Sequence, residues 1–139
     1  MTRTDAVWRG DMSFEIALQG HRIVVDADES VGGKNQGPAP KGLMLSALAG
    51  CTGMDVTAIL GKMQMPFDRF EIAIEGESTE THPKVYRDIT VVYRFWGEAL
   101  DESKIEKACR LSQTKYCGVS ATLQEAGEVH WKIELNPGE

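Results

Sequence analysis

The amino-acid sequence predicts an α+β fold in which an antiparallel sheet wraps around one long, buried helix. Residues 40–63 are apolar on nearly every face, which is typical of a helix enclosed by other elements. Before and after this stretch, short segments alternate apolar and polar residues, as half-buried strands do. The length of 139 residues further predicts a single domain, residues 1–139.

The first part of the chain is predicted to form strands and a loop. Residues 7–26 are predicted to form a pair of strands. Phe14, Ile16 and Leu18 occupy every second position of the first strand, and a β-branched run follows a turn near Gly20. Residues 27–39 combine turn formers and charges without periodicity, so they are predicted to be a loop. Irregular stretches of this kind inside a compact domain are often functional.

The central helix is predicted to run from Pro40, which suits a first helical position because it needs no N–H group there. Its interior holds a single charge, Asp55. The segment is predicted to be too short for a membrane span, and Asp55 and the glycines interrupt its apolar sequence. Gly50 and Gly53 each cost about 1 kcal/mol relative to alanine in a helix, and we therefore expect another backbone to pass close by.

The remaining segments predict a hairpin, two helices and a last strand. Residues 70–75 and 89–96 alternate as a long antiparallel hairpin, and the second run is apolar enough to be central in its sheet. A helix is expected to begin near Asp101 or Ser103, either of which could be its N-cap, followed by a short helix at 119–126 and a strand at 129–135. We expect about six strands, averaging 5–6 residues each, in one largely antiparallel sheet.

Composition limits the classes of function. The net charge is −6, and this acidic balance argues against a nucleic-acid surface. The residues after Met1 hold no apolar signal-peptide region, so the expected compartment is the cytoplasm, without a membrane partner. Three cysteines, an odd number, argue against a structural disulfide framework in a reducing compartment.

The three cysteines are the candidate reactive groups. Cys109 lies on the apolar stripe of its predicted helix and is expected to be a core residue. Cys51, taken alone on a buried helix, would receive the same interpretation. Cys117 lies at a predicted helix start, where backbone N–H groups stabilise a thiolate and lower its pKa. Neither the cysteines nor the three scattered histidines have metal-ligand spacing, so no metal or cofactor is expected.

Two cysteines from different helices could still meet in space. A peroxide-reducing thiol needs a nearby cation and a second thiol that captures the sulfenic acid. The residues alone leave open which arginine would serve: Arg9, Arg22, Arg69, Arg87, Arg94 or Arg110.

Two segments resemble the OsmC/Ohr family of osmotically induced and organic hydroperoxide resistance proteins. Residues 40–56 read PKGLMLSALAGCTGMDV and are similar to the central helix of the family. Residues 116–123 read YCGVSATL and are similar to its second cysteine segment. The predicted order of elements also matches the family along nearly the whole chain.

The resemblance implies an intertwined homodimer with a thiol peroxidase site at the interface. Cys51 would be the peroxidatic cysteine, Cys117 the resolving cysteine, and Arg9 the closest match to the activating arginine. The implied partners are a small-molecule peroxide, an external dithiol reductant and a second copy of the chain.

Two positions depart from the family pattern. Lys41 stands where members with strong hydroperoxidase activity carry a glutamate that helps to hold the arginine, and Gly118 stands where proline is frequent. The chain therefore resembles the divergent OsmC-like branch. Two hypotheses follow: a cysteine-based peroxidase of oxidative-stress defence, or a non-catalytic dimer that binds a small apolar ligand or acts as a redox sensor.

Overall fold

The computed structural model describes residues 1–138, which form two compact units. The first unit is Met1–Met44 and the second begins at Leu45. Each unit has its own three-stranded sheet. The α+β class is confirmed, but the expectation of one six-stranded sheet is wrong.

The N-terminal unit is an antiparallel meander of three strands. They are β1 (Thr4–Trp8), β2 (Phe14–Leu18) and β3 (His21–Val25), paired in that order. The turn between β2 and β3 is made by Gln19 and Gly20, whose φ angles are +50° and +81°. Positive φ at both central residues is what a tight two-residue hairpin requires, because its twist matches that of the strands.

The loop after β3 is organised by one buried carboxylate. Asp26 is 2% exposed and accepts hydrogen bonds from the backbone N–H groups of Ala27, Lys34 and Gln36, at 2.8, 2.9 and 3.1 Å. These bonds, above all the one from Lys34, hold the pKa of Asp26 below its ordinary value. The segment predicted as a loop contains a short 3₁₀ turn, Glu29–Val31, and is otherwise irregular.

The long helix α1 spans Leu43–Lys62, after a 3₁₀ turn at Pro40–Gly42. Leu48, Val56 and Leu60 are fully buried on one face and belong to the core of the C-terminal unit. The opposite face is open in the single chain, where Met54 is 75% exposed. The core of this unit thus covers one side of the helix, and the expectation that a second copy of the chain covers the other side stays a prediction.

The two helix glycines differ in their surroundings. A Cβ atom on Gly53 would lie 3.0 Å from Cδ1 of Ile72, so the absence of a side chain lets the helix approach the sheet. A Cβ atom on Gly50 would meet nothing within 4 Å. The expected close neighbour is thus a side chain of the sheet at Gly53, and Gly50 lies on the open face.

The C-terminal sheet contains β4 (Arg69–Ser78), β5 (Tyr86–Trp96) and β6 (Glu128–Leu135). β4 and β5 form the predicted antiparallel hairpin, and β5 is central, as predicted. β6 pairs with β5 in parallel, which the sequence did not predict, whereas the other three strand pairs are antiparallel as expected.

A helical crossover makes this parallel pairing possible, because parallel neighbours cannot be joined by a tight turn. It consists of α2 (Glu102–Leu111), a π-helical turn (Ser112–Tyr116) and α3 (Gly118–Gln124). The Asp101 side chain caps α2 by accepting from the N–H of Lys104, so Asp101, one of the two candidates, is the N-cap. The π-helical turn was not predicted.

The core of the C-terminal unit lies between β5, α1 and α2. Tyr93 and Phe95 of β5 are fully buried, and the ring of Phe70 stacks on Phe95 with centroids 4.2 Å apart. Ile105 of α2 is also fully buried in this cluster. Stacked rings contribute beyond the area they bury, so this cluster holds the hairpin and the helices together.

By length and composition the segment Pro40–Lys62 could cross a membrane, since it has 23 residues and contains an 18-residue stretch with a mean hydropathy of 1.6. The sequence-based argument that it is too short is therefore wrong. Leu48, Val56 and Leu60 pack against the core of the same unit, and Asp55 lies in the middle of the segment. Both features favour a core helix.

Candidate thiol site

Helix α1 presents Cys51 and Asp55 on one face, because residues four positions apart are neighbours on a helix surface. Both side chains are half-buried. The Ser112 hydroxyl donates a hydrogen bond of 2.9 Å to Oδ2 of Asp55. The carboxylate is thus held toward the crossover, next to the cysteine of its own helix.

Cys117 comes from the crossover, where it is the N-cap of α3. Its backbone N–H donates to the carbonyl of Ser112 at 2.8 Å, which closes the π-helical turn. Its Sγ accepts from the backbone N–H of Ser120 at 3.3 Å. The π-helical turn therefore sets the position of the sulfur, and such turns are frequent at functional sites.

The fold brings three of these groups together into what we call the thiol cluster. Sγ of Cys51, a carboxylate oxygen of Asp55 and Sγ of Cys117 all lie within 4.8 Å of one another. Both cysteines are free thiols in the structure. The two segments that resemble the OsmC/Ohr family, one around Cys51 and one around Cys117, thus meet in the C-terminal unit.

Burial dominates the acidity of Cys117. The side chain is 3% exposed, and burial raises the pKa of Cys117 to about 11. The Ser120 N–H lowers the pKa, but the neighbouring Cys51 raises it further. The expectation that the helix start would lower this pKa is therefore wrong in its net effect, because desolvation outweighs the backbone N–H groups.

A buried polar network surrounds the cluster. Thr52 Oγ1 lies 2.5 Å from Tyr93 Oη and 2.7 Å from Ser112 Oγ. Gln113 Nε2 donates to Tyr93 Oη at 2.7 Å, and Ser120 Oγ donates to Gln113 Oε1 at 2.6 Å. The network continues through a 2.9 Å bond from Gln124 Nε2 to Ser120 Oγ. Within residues 1–138, no buried side-chain nitrogen or oxygen lacks a hydrogen-bond partner.

Sequence reasoning missed these network residues as parts of the site. The available signal was a polar side chain at a position where the periodicity expects an apolar one. Thr52 interrupts the buried stripe of α1, Ser112 follows the apolar stripe of α2, and the Tyr93 hydroxyl lies within an apolar strand. Buried polar groups need partners, so such positions indicate a network even before a structure is known.

A cavity of about 370 Å³ opens beside Cys117. Polar and apolar side chains both contribute to its wall, among them Gln113, Gln124, Val129 and Trp131. The cavity has the size for a small organic molecule to lie next to the buried Cys117 side chain.

Arg9 lies in the N-terminal unit, directly after β1. Its guanidinium forms an ion pair with the carboxylate of Glu15 on β2. Arg22 donates to the same carboxylate at 3.3 Å. The bond from Arg9 and the charges of both arginines hold the pKa of Glu15 below its ordinary value. The role of Arg9 beside Cys51 stays a prediction.

Cys109 is separate from the cluster. It is fully buried in the core, where the sequence placed it, and burial raises the pKa of Cys109 to about 12. The side chain is a thiol at neutral pH and behaves as a small apolar residue.

Comparison with known proteins identifies relatives that match most of the chain. The chain is 28% identical to Protein YhfA of Escherichia coli K12 over 119 residues, which are 86% of each chain. A hypothetical protein from Aquifex aeolicus superposes with a TM-score of 0.84 at 25% identity, covering 99% of this chain and 98% of the other. An organic hydroperoxide resistance protein OsmC from Legionella pneumophila superposes with a TM-score of 0.73 at 13% identity, covering 96% of each.

The family model described as OsmC-like protein matches residues 33–132. This range contains α1, the whole crossover and both cysteines of the thiol cluster. The chain therefore belongs to the OsmC-like protein family.

Proposed function

We propose that this protein is a thiol-dependent peroxidase that reduces organic or hydrogen peroxides in oxidative-stress defence. The observation that carries the proposal is the placement of the Cys51 and Cys117 sulfurs, from two different helices, within 4.8 Å of each other. A pair of free thiols at this separation is arranged for disulfide formation once one of them is oxidised. The structural neighbour from Legionella pneumophila is an organic hydroperoxide resistance protein, which supports the same substrate class.

The proposed reaction has three steps. The Cys51 thiolate attacks one peroxide oxygen, so that an S–O bond forms, the O–O bond breaks and the alcohol leaves with a proton. The Cys117 sulfur then attacks the sulfenic acid of Cys51, which forms the disulfide and releases water. An external dithiol reduces the disulfide by thiol exchange and returns both thiols.

The different surroundings of the two sulfurs support this division of roles. Cys117 is nearly inaccessible, and its raised pKa keeps it protonated at neutral pH, so it is a poor first nucleophile. Cys51 is only half-buried. A peroxide would therefore meet Cys51 first.

Arg9 is the proposed cation for the Cys51 thiolate. Lys41 occupies the position where the resemblance implies a carboxylate that holds the arginine. In this chain Glu15, on the strand next to Arg9, forms an ion pair with it instead.

The test measures consumption of cumene hydroperoxide with dihydrolipoamide or dithiothreitol as the reductant. Wild type should consume peroxide, whereas Cys51→Ser should fall to the rate without protein. Cys109→Ala is the matched control, because this thiol lies outside the cluster and its loss should leave the rate unchanged. Equal rates for wild type and Cys51→Ser would refute the peroxidase.

The second candidate is a non-catalytic binding protein or redox sensor. The cavity beside Cys117 favours it, since its lining includes the apolar surfaces of Val129 and Trp131. A native mass spectrum that shows a co-purified small molecule, together with no peroxide turnover, would select this function. Rapid turnover would select the peroxidase.

A further inference from the structure

The thiol cluster has the composition of a metal site as well as that of a redox pair. Its three members offer two sulfurs and one carboxylate oxygen, all within 4.8 Å of one another. We propose that Cys51, Asp55 and Cys117 bind one Zn²⁺ ion in the reduced protein. Sequence spacing gives no sign of this site, because Cys117 joins the other two residues only through the fold.

The donor atoms select the metal. Thiolate sulfur is a soft ligand that favours zinc over magnesium or calcium, and carboxylate oxygen is also an ordinary zinc ligand. Zinc–sulfur bonds of about 2.3 Å place two sulfurs of a tetrahedral site about 3.8 Å apart. The observed separations of up to 4.8 Å therefore need only small side-chain rotations to close around the ion.

The carboxylate is oriented before any metal arrives. The Ser112 hydroxyl donates a hydrogen bond of 2.9 Å to Oδ2 of Asp55, which leaves the other carboxylate oxygen for coordination. Such a hydrogen bond to a metal-ligating carboxylate is the usual support of a zinc site. Among residues 1–138, the ion pairs in the structure use other carboxylates, so Asp55 has no lysine or arginine as its counter-ion. A cation at the cluster would supply the missing charge.

Three protein ligands leave the fourth tetrahedral position open to water. Binding involves no electron transfer: each thiol that is protonated beforehand gives its proton to solvent as its sulfur bonds to the ion. The site does not depend on peroxide reduction. If the proposed function holds, zinc and peroxide compete for the same two sulfurs, and the zinc-loaded protein is inactive until the ion is removed.

The experiment titrates the reduced full-length protein with Co²⁺ and then with Zn²⁺, without peroxide. We expect one Co²⁺ per chain with the absorption bands of a tetrahedral cobalt thiolate, displaced by one Zn²⁺. Cys51→Ser and Cys117→Ser should each weaken zinc binding by about a hundredfold or more, and Asp55→Asn and Ser112→Ala by about tenfold. Cys109→Ala, which removes a thiol outside the cluster, should bind as wild type does.

Retention of zinc affinity in Cys51→Ser would overturn the proposal, and this half-buried position keeps the test usable if Cys117→Ser fails to fold. Loss of zinc in His130→Ala, with Cys51→Ser unaffected, would place the ion at the exposed group of Asp88, Glu128 and His130 instead and would also overturn it. Peroxidase assays are run separately with a chelator present. Failure of either proposal is thus visible without affecting the other.

Discussion

Replacement of Thr52 by valine tests the buried polar network that positions Cys117. The hydroxyl of Thr52 lies 2.5 Å from Tyr93 Oη and 2.7 Å from Ser112 Oγ, so Thr52→Val removes two short hydrogen bonds from the core. Valine has nearly the same shape, and no large cavity is made. A buried hydrogen bond contributes about 1 kcal/mol net, which sets the expected loss at about 2 kcal/mol.

The remaining bonds of the network limit the loss. Tyr93 Oη still accepts from Gln113 Nε2 at 2.7 Å, and Ser112 Oγ still donates to Asp55 at 2.9 Å. Ser112 Oγ gives its proton to Asp55, so the Thr52 proton goes to Ser112 and Tyr93 Oη donates to Thr52. The valine variant therefore leaves the buried Tyr93 O–H without its acceptor, and about 2 kcal/mol is the lower end of the expected loss. For a chain of this size the loss corresponds to a fall of about 8 °C in the thermal midpoint.

The assay is urea denaturation at a fixed protomer concentration, followed by tryptophan fluorescence. The slope of the unfolding free energy against urea should stay at the wild-type value, because the exposed surface hardly changes. Thr122→Val is the matched control: this hydroxyl is exposed and donates to the carbonyl of Gly118, and its loss should change stability by less than about 0.5 kcal/mol. A Thr52→Val protein as stable as the control would show that the network contributes nothing to the fold.

Two further predictions concern alkaline pH and assembly. Burial raises the pKa of Cys109 to about 12 and that of Cys117 to about 11, above the ordinary thiol value of 9.0. Above about pH 9 the folded state therefore keeps thiol protons that the unfolded chain loses. The free energy of unfolding should be constant with respect to these two thiols below about pH 9 and should fall as pH rises toward 11. Urea midpoints measured from about pH 7 to about pH 10 should show this, and Cys109→Ala should flatten the fall. For assembly, we expect a homodimer that covers the open face of α1, so Gly50→Leu should weaken it through overpacking. Light scattering and the dilution dependence of the thermal midpoint measure this, and a monomeric wild type whose midpoint ignores dilution would contradict the expectation.

Local signals were sufficient for much of the fold. The alternation in β4 and β5 predicts their hairpin, because period-2 patterning and a polar turn are properties of adjacent residues. The Asp101 cap of α2 is predictable, as one of two candidates, for the same reason. The parallel pairing of β6 is not, since alternation specifies which side chains face the core and says nothing of strand direction.

The two cysteines of the thiol cluster could be identified from sequence, but their surroundings could not. The resemblance identified Cys51 and Cys117 from sequence, and the structure brings them together. The π-helical turn and the raised pKa of Cys117 both depend on tertiary packing. Asp55 was visible only as the single charge of an apolar helix, and its proximity to both sulfurs needs the crossover to be in place.

The parallel crossover also has a consequence during protein synthesis. β5 is the most apolar strand of its sheet, and its second edge is covered only by β6, which leaves the ribosome after α2 and α3. Chains emerge from the N-terminus at about 5–20 residues per second, so the hairpin of β4 and β5 exists for some seconds with that edge unpaired. An unpaired apolar edge is a template for pairing with another chain. This interval is the period in which the nascent protein most needs a chaperone, and it ends when β6 docks.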